Sequence, residues 1–227
     1  MPVRVYAHRG ASLELPENTM PAFRRALELG ADALETDVHV TSDGVLVTSH
    51  DPDGARVFDV HRRIADCPWA EVRSWGVPAL EEVVASFPGV PINVDLKVPA
   101  ADLAVELLHR LDAADRVTLA SFRSSTLRRV RALGYRGATG LGRSEVARLV
   151  SLPTAAQRGP LALPGKAAQL PLSLAQPWVI RRCHALGLRV DYWTVNDPAL
   201  ARSLAALGAD GIMTDDPGAI VAALRAG

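Results

Sequence analysis

The sequence predicts an α/β protein, a (β/α)8 TIM barrel with a short insertion after the second strand region. Three observations point there. Strand-like and helix-like segments alternate from one end to the other. About eight such pairs fit into 227 residues, near the ~250 typical of that fold. Polar side chains gather at one end of the strands, where such a barrel builds its sites. An open doubly wound sheet is the competitor, but it carries a Gly-rich phosphate turn after its first strand. Here that turn reads HRGAS, not GxGxxG.

The elements follow in order. VRVYA (3–7) is a short β run that ends at His8-Arg9-Gly10. PAFRRALELG (21–30) has helical periodicity, with Pro21 early and Gly30 as its stop. ALETDVHV (33–40) reads as a buried strand, and LVTSH (46–50) is extended after the turn signal Ser42-Asp43-Gly44. Residues 51–77 read as an irregular insertion. ALEEVVASF (79–87) is a helix and PINVDLK (91–97) a strand; a helix from 101, RVTLASF (116–122), a helix from 125 and the short strand ATGLG (138–142) continue the alternation. SEVARLV is helical. Residues 151–175 carry the weakest pattern, with one short strand expected in LALPG (161–165). A helix from 178, LRVDYWTV (188–195), a helix from 198, GIMTD (211–215) and a final helix complete the chain. With 48% hydrophobic residues and little linker-like sequence, residues 1–227 are expected to form a single domain.

Composition narrows the function classes. Formal net charge is +0, from 25 Lys+Arg and 25 Asp+Glu, so nothing argues for nucleic acid or an anionic membrane surface. Cys67 and Cys183 lie far apart and outside any CxxC or Cys/His cluster. No apolar run approaches the ~20 residues of a membrane helix, and the N-terminus has no signal-like core. A soluble cytoplasmic protein without stable membrane insertion is expected.

The strand ends carry the chemistry. Residues two apart on a strand share a face, so Glu35 and Asp37 aim at one spot from an otherwise apolar element. Asp95 and Lys97 do the same, opposite Ile92, Val94 and Leu96. The other strand ends bring His8-Arg9, His50-Asp51, Ser121-Phe122, and Trp193 to Asn196. Burying unpaired charge costs several kcal/mol, so this convergence needs a neutralising partner. Three carboxylates without cysteine suit a hard divalent cation, Mg2+ or Ca2+, held by Glu35, Asp37 and Asp95. The alternative is that Lys97, Arg9 and other cations pair with the acids and no metal is required. His8 and His50 suit a general acid and general base. Trp193 and Phe122 are expected as pocket walls. His39 shares the parity of Glu35 but lies at the far end of its strand and is left outside the site. His61, His109 and His184 are expected on the surface or in packing, and Asp32 and Asp210, each after Gly-Ala, in turns on the opposite barrel face.

AHRGAS, the run from PENT to VTSHD, VPALEEVV, VDLK, SF, YWTVND and GADGIMTDDP together resemble the glycerophosphodiester phosphodiesterase family. They occur in that family's order and span nearly the whole chain; only residues 140–175 match poorly. The resemblance implies a TIM barrel that hydrolyses a glycerophosphodiester to sn-glycerol 3-phosphate and an alcohol. It implies a divalent cation on Glu35, Asp37 and Asp95, a catalytic pair His8 and His50, and phosphate held by Arg9 and Lys97. Two features depart from the family pattern. Asp95 stands where the family usually has Glu, one methylene longer, and the segment after His50 is compact and lacks the usual run that caps the site. Two alternatives remain: a lysophospholipase D-like enzyme on the same core, and a barrel that binds a phosphodiester without turning it over.

Overall fold

A computed structural model of the protein describes residues 2–158 and 162–225. Seven parallel strands run side by side: β1 (Arg4–His8), β2 (Ala33–Val40), β6 (Ile92–Leu96), β7 (Val117–Ala120), β8 (Ala167–Pro171), β9 (Arg189–Trp193) and β10 (Gly211–Thr214). Their order is β7-β6-β2-β1-β10-β9-β8. The gap between the two outer strands is closed by Thr139 and Gly140. Leu119 on β7 bridges Thr139, and Gly140 bridges Ala167 on β8, both parallel. The short segment is thus the eighth stave, and the sheet closes into the expected barrel.

Helices cover the outside of the strands. α1 (Met20–Glu28) follows β1; its N-cap Thr19 accepts from the Ala22 amide, Pro21 sits in its first turn, and Ala22, Phe23 and Ala26 are buried. The 3.6-residue apolar spacing puts one face of each helix on the sheet. α4 (Leu80–Ser86), α5 (Ala101–Arg110), α6 (Ser124–Ala132), α7 (Arg143–Ser151), α8 (Pro177–Ala185), α9 (Pro198–Ala206) and α10 (Pro217–Arg225) continue the ring. Leu34, Phe23, Leu80, Ile92, Leu108 and Leu119 form one apolar shell, and Val5, Leu170, Ile180, Val190, Leu204 and Ile212 another. None of the described helices is long and apolar enough to cross a membrane.

Two expectations are corrected. Within 162–165 there is no strand; the stave lies later, at Ala167–Pro171. Pro164 lacks the amide a ladder needs, whereas AAQLP pairs along its whole length with β9. Leu161 lies outside the described residues. Second, residues 51–77 are not irregular. β3 (Leu46–Thr48) runs antiparallel to β2, and then β4 (Asp53–Gly54) and β5 (Val60–Arg63) form a hairpin around α2 (Ala55–Phe58), before α3 (Trp69–Ser74). Val47, Ile64, Cys67, Val72 and Val77 give this insertion its own small apolar cluster. Its pieces are too short for periodicity to register.

Asp32 and Asp210 are structural, as expected. Each accepts a backbone N–H from the start of a neighbouring strand, Val5 N to Asp32 and Val190 N to Asp210, both at 2.8 Å. His184 Nε2 lies 2.9 Å from Asp210 Oδ2, His109 stacks on Tyr135, and His61 is exposed.

Candidate active site

The C-terminal strand ends open onto one cavity of about 210 Å³. His8, Arg9, Glu35, Asp37, His50, Asp95, Lys97, Phe122 and Trp193 all line it, so every expected site residue converges there. Strand register explains the convergence. His8 pairs with Glu35 across β1–β2, and Asp37 with Asp95 across β2–β6. Side chains at one level of adjacent strands point to the same side of the sheet.

The turn after β1 is bent to serve the site. Arg9 has φ +62° and Gly10 +86°, both left-handed. That conformation costs a non-glycine residue roughly 1–2 kcal/mol, so Arg9 is held there by its contacts. At Gly10 a Cβ would fall 2.7–2.9 Å from Ala22, so only glycine lets the turn pass beneath α1. The loop then returns: Asn18 N donates to Arg9 O at 2.9 Å, and Asn18 Nδ2 to Asp37 Oδ2 at 3.3 Å. Glu17 accepts from Arg9 Nη1 at 3.2 Å.

The three carboxylates are unequally served. Asp37, buried, has Lys97 Nζ at 2.8 Å and Arg9 Nε at 3.1 Å. Asp95 has Lys97 at 2.7 Å; burial pushes its carboxyl up, against the pull of Lys97. Among the described residues the Glu35 carboxylate has only the Arg9 amide at 3.2 Å and His8 Nε2 at 3.9 Å. Burial, then the charge on Asp37, pushes Glu35 up to about 8. Arg9 Nε has no hydrogen bond despite its closeness to Asp37, because the angle is poor. A donor buried without a partner is expensive unless a ligand completes it.

Each histidine has its own carboxylate. His8 Nδ1 donates to Asp215 Oδ1 at 2.7 Å, which leaves Nε2 to the cavity. Asp215 is itself fixed, accepting from Ser12 Oγ at 3.1 Å and Asn196 Nδ2 at 2.8 Å. Burial would lower the His8 pKa, but Glu35 and Asp215 outweigh it and hold it above the ordinary value. His50 Nδ1 donates to Asp51 Oδ1 at 2.8 Å, and Asp51 also accepts from Arg56 Nε at 2.6 Å. The His50 side chain is 36% exposed against 16% for His8. His39, left outside the site by its sequence position, donates from Nε2 to the His50 carbonyl at 3.2 Å and so supports the loop that carries His50.

Phe122 and Trp193 form the other wall, edge to face at 5.8 Å and 87°. Leu141 and Met213 extend it, and the Gln169 amide donates to Asn93 Oδ1 at 2.6 Å across the floor.

Two histidines, three acids, Arg9 and Lys97 thus face one barrel mouth. Residues 8–219 match the model of the Glycerophosphoryl diester phosphodiesterase family. The chain belongs to that family. A probable glycerophosphodiester phosphodiesterase 2 of Mycobacterium tuberculosis is 33% identical, covering 92% of this chain and 86% of that protein. A phosphodiesterase of Oleispira antarctica, solved with the product sn-glycerol-3-phosphate, superposes with TM-score 0.81 at 25% identity, over 98% of this chain and 97% of that one. Human lysophospholipase D is 36% identical over 111 residues, covering 40% of this chain and 35% of that protein.

In this family member, residues beyond the motif reading complete the site. Asp215 ends GIMTD, at the C-terminal end of the last strand; the rule applied to the other strands applies to it as well. Asn93 shares the parity of Asp95 in PINVDLK. Gln169 was hidden because its strand was expected a few residues earlier.

The donor set fits a hard divalent cation. Three carboxylates on β2 and β6 line one cavity, and Glu35 is short of positive charge. Among the described residues no three His, Cys, Asp or Glu side chains are arranged so that they could hold a metal ion. Asp37 and Asp95 are clamped on Lys97 instead, so the pairing foreseen as the alternative to metal does occur. It leaves Glu35 with His8 Nε2, at 3.9 Å, as its ion-pairing neighbour.

Proposed function

We propose that the protein hydrolyses glycerophosphodiesters to sn-glycerol 3-phosphate and an alcohol, with Mg2+ or Ca2+ and the His8–His50 pair. The observation that carries this reading is the single cavity in which both histidines, three acids, Arg9 and Lys97 face one another. Glu35, Asp37 and Asp95 would hold the cation; when bound, it would neutralise phosphoryl oxygens against the approach of a nucleophile. Asp95 is shorter than the family's usual Glu, so it contributes through a small shift or a water. Arg9 Nε and Lys97 Nζ donate to phosphoryl oxygens, which gives the orphaned Arg9 N–H its acceptor.

The chemistry is displacement at phosphorus, in one step or two. The attacking oxygen forms a bond to phosphorus while the bond to the leaving alkoxide breaks. One histidine takes the proton of the attacking oxygen; the other gives its proton to the alkoxide. Asp215 and Asp51 hold each Nδ1–H, so each Nε2 is the working atom. The attacker is water, or the glycerol hydroxyl next to the phosphate in a two-step route through a cyclic phosphate. Reaction in isotopically labelled water, followed for a cyclic intermediate, separates the routes.

A second reading, a lysophospholipase D-like activity, draws on the partial match to the human enzyme and on Leu13 at 64% and Phe122 at 45% exposure after strands β1 and β7. The test is glycerol 3-phosphate release from glycerophosphocholine and glycerophosphoethanolamine beside lysophosphatidylcholine, with phosphatidic-type product scored separately. Turnover of the glycerophosphodiesters supports the first reading. Turnover of the lysolipid alone overturns it in favour of the second. Tight binding with no product from any substrate, cation present, would mean a binding barrel.

A further inference from the structure

The basic side chains around the cavity are not equivalent. Arg9 and Lys97 line it, and each is held by carboxylates: Arg9 by Glu17 and Asp37, Lys97 by Asp37 and Asp95. Arg143, in the first turn of α7, does not line the cavity itself but reaches its wall through Phe122, with its guanidinium over that ring at 5.2 Å from the centroid. Among the described residues no carboxylate pairs with Arg143. Its helix end is already capped, since Gly142 N donates to Glu145 Oε2 at 2.9 Å. Glu145 in turn is committed to Arg131 at 2.6 Å. The positive charge at this point of the rim therefore belongs to Arg143 and is not offset locally.

Phe122 carries a second cation. Lys97 Nζ sits 5.7 Å from the same ring centroid, and Trp193 meets the ring edge to face. An aromatic surface recognises a quaternary ammonium when its π-face is open and the surroundings are neutral or negative. Here the ring already serves two cations, and a trimethylammonium group beside it meets like charge.

The floor and the rim also sort the two arms of a diester. A glycerol arm has two free hydroxyls to satisfy; the Asn93–Gln169 amide pair at the floor has unused donor and acceptor capacity for them. A glycerol arm seated there would send the leaving alcohol past Phe122 to the rim.

We propose that Arg143 is a specificity residue that selects glycerophosphodiesters whose leaving alcohol carries an anion, a carboxylate or a second phosphate, over those that carry a quaternary ammonium. The inference rests on the glycerophosphodiesterase reading above. A charge-assisted contact from a partly exposed guanidinium corresponds to about a five- to tenfold preference.

The experiment compares initial-rate kcat/KM for four substrates: bis(glycerophospho)glycerol, glycerophosphoserine, glycerophosphoglycerol and glycerophosphocholine. Each is assayed with the intact chain and with Arg143→Gln, Arg143→Lys and Arg143→Glu. The first and third differ at the leaving alcohol by one anionic phosphate group with its glycerol, so their ratio reads the charge preference. The expected result is a wild-type ratio of about five to ten in favour of the anionic alcohol, expressed in KM. Arg143→Gln collapses the ratio toward one, Arg143→Lys keeps part of it, and Arg143→Glu reverses the order of the anionic substrates and glycerophosphocholine. Equal turnover of all four by the wild type, or a ratio that Arg143→Gln leaves unchanged, overturns the proposal. Failure of every glycerophosphodiester to react overturns the underlying reading instead, so the two failures are distinguishable. Arg143 is exposed and rests over the Phe122 ring, so a folding defect would show as a lowered midpoint in the circular dichroism melt of all three variants alike.

Discussion

On the β1–β2–β6 side of the mouth, nearly every charge is answered by another. Arg9, Glu17, Arg56, Asp51, Asp37, Lys97 and Asp95 form one chain of ion pairs, with Glu35 the member short of a partner. On the β7–β9 side, aromatic and apolar groups face the cavity, and the cation at the rim rests on a ring. The difference separates two tasks. A closed ion network holds reactive groups at fixed distances, which is what proton transfer and phosphoryl binding demand. A sparse wall with one free charge holds little in place but discriminates between ligands that pass it.

The comparison makes predictions of decreasing size. His8→Ala should lower kcat by about 100- to 10,000-fold, the span typical of one acid–base group, with KM little changed. A loss under tenfold would remove His8 from the chemistry. Asp215→Asn should cost roughly 10- to 100-fold in kcat, because it frees the His8 ring from its tautomer and orientation. Asp51→Asn should cost less, since His50 is more exposed and water can replace the lost acceptor. Equal losses for the two would break the distinction drawn between a locked histidine and a looser one.

Gly10→Ala should lower stability by about 2 kcal/mol or more, read as a lower urea midpoint, because the new methyl meets Ala22 and the φ is left-handed. On the other wall, Phe122→Ala should raise KM several-fold with kcat nearly kept, as expected for a group that only binds. A matching fall in kcat would place Phe122 on the chemical side.

The smallest effect is on pH-dependent stability. Burial would raise the Asp215 carboxyl, but hydrogen bonds from His8 and Asn196 hold it below its ordinary value. A depressed carboxylate contributes stability that is present above its unfolded pKa and is lost as pH falls through its folded one. The gap in urea midpoint between wild type and Asp215→Asn should therefore be wider at pH 7 than at strongly acid pH. A gap independent of pH would contradict the Asp215–His8 bond.

Much of this was legible before any coordinates. Strand parity alone paired Glu35 with Asp37 and Asp95 with Lys97, because a period of two admits no other arrangement of those side chains. The alternation of elements was enough for the barrel. What stayed hidden was local and short. The stave at Thr139–Gly140 was legible as the short strand ATGLG, but β8 was misplaced because LALPG is more apolar than AAQLP. Asp215 and Gln169 act through partners distant in sequence, Asp215 on His8 207 positions away, and no periodicity encodes such a pair. Arg143 is a lone charge on a helix in sequence, and only its place over Phe122 distinguishes it from a solvated one.

The charged side is proposed above as a cation-dependent phosphodiester site completed at Glu35. The most direct measurement is release of glycerol 3-phosphate from glycerophosphoethanolamine after EDTA treatment, with Mg2+ or Ca2+ then restored, for wild type and Glu35→Gln. Expected are activity that EDTA abolishes and one of the cations restores in the wild type, and a Glu35→Gln variant that needs far more cation and binds it more weakly by calorimetry. Full activity in EDTA, or a variant that binds cation as the wild type does, would contradict it.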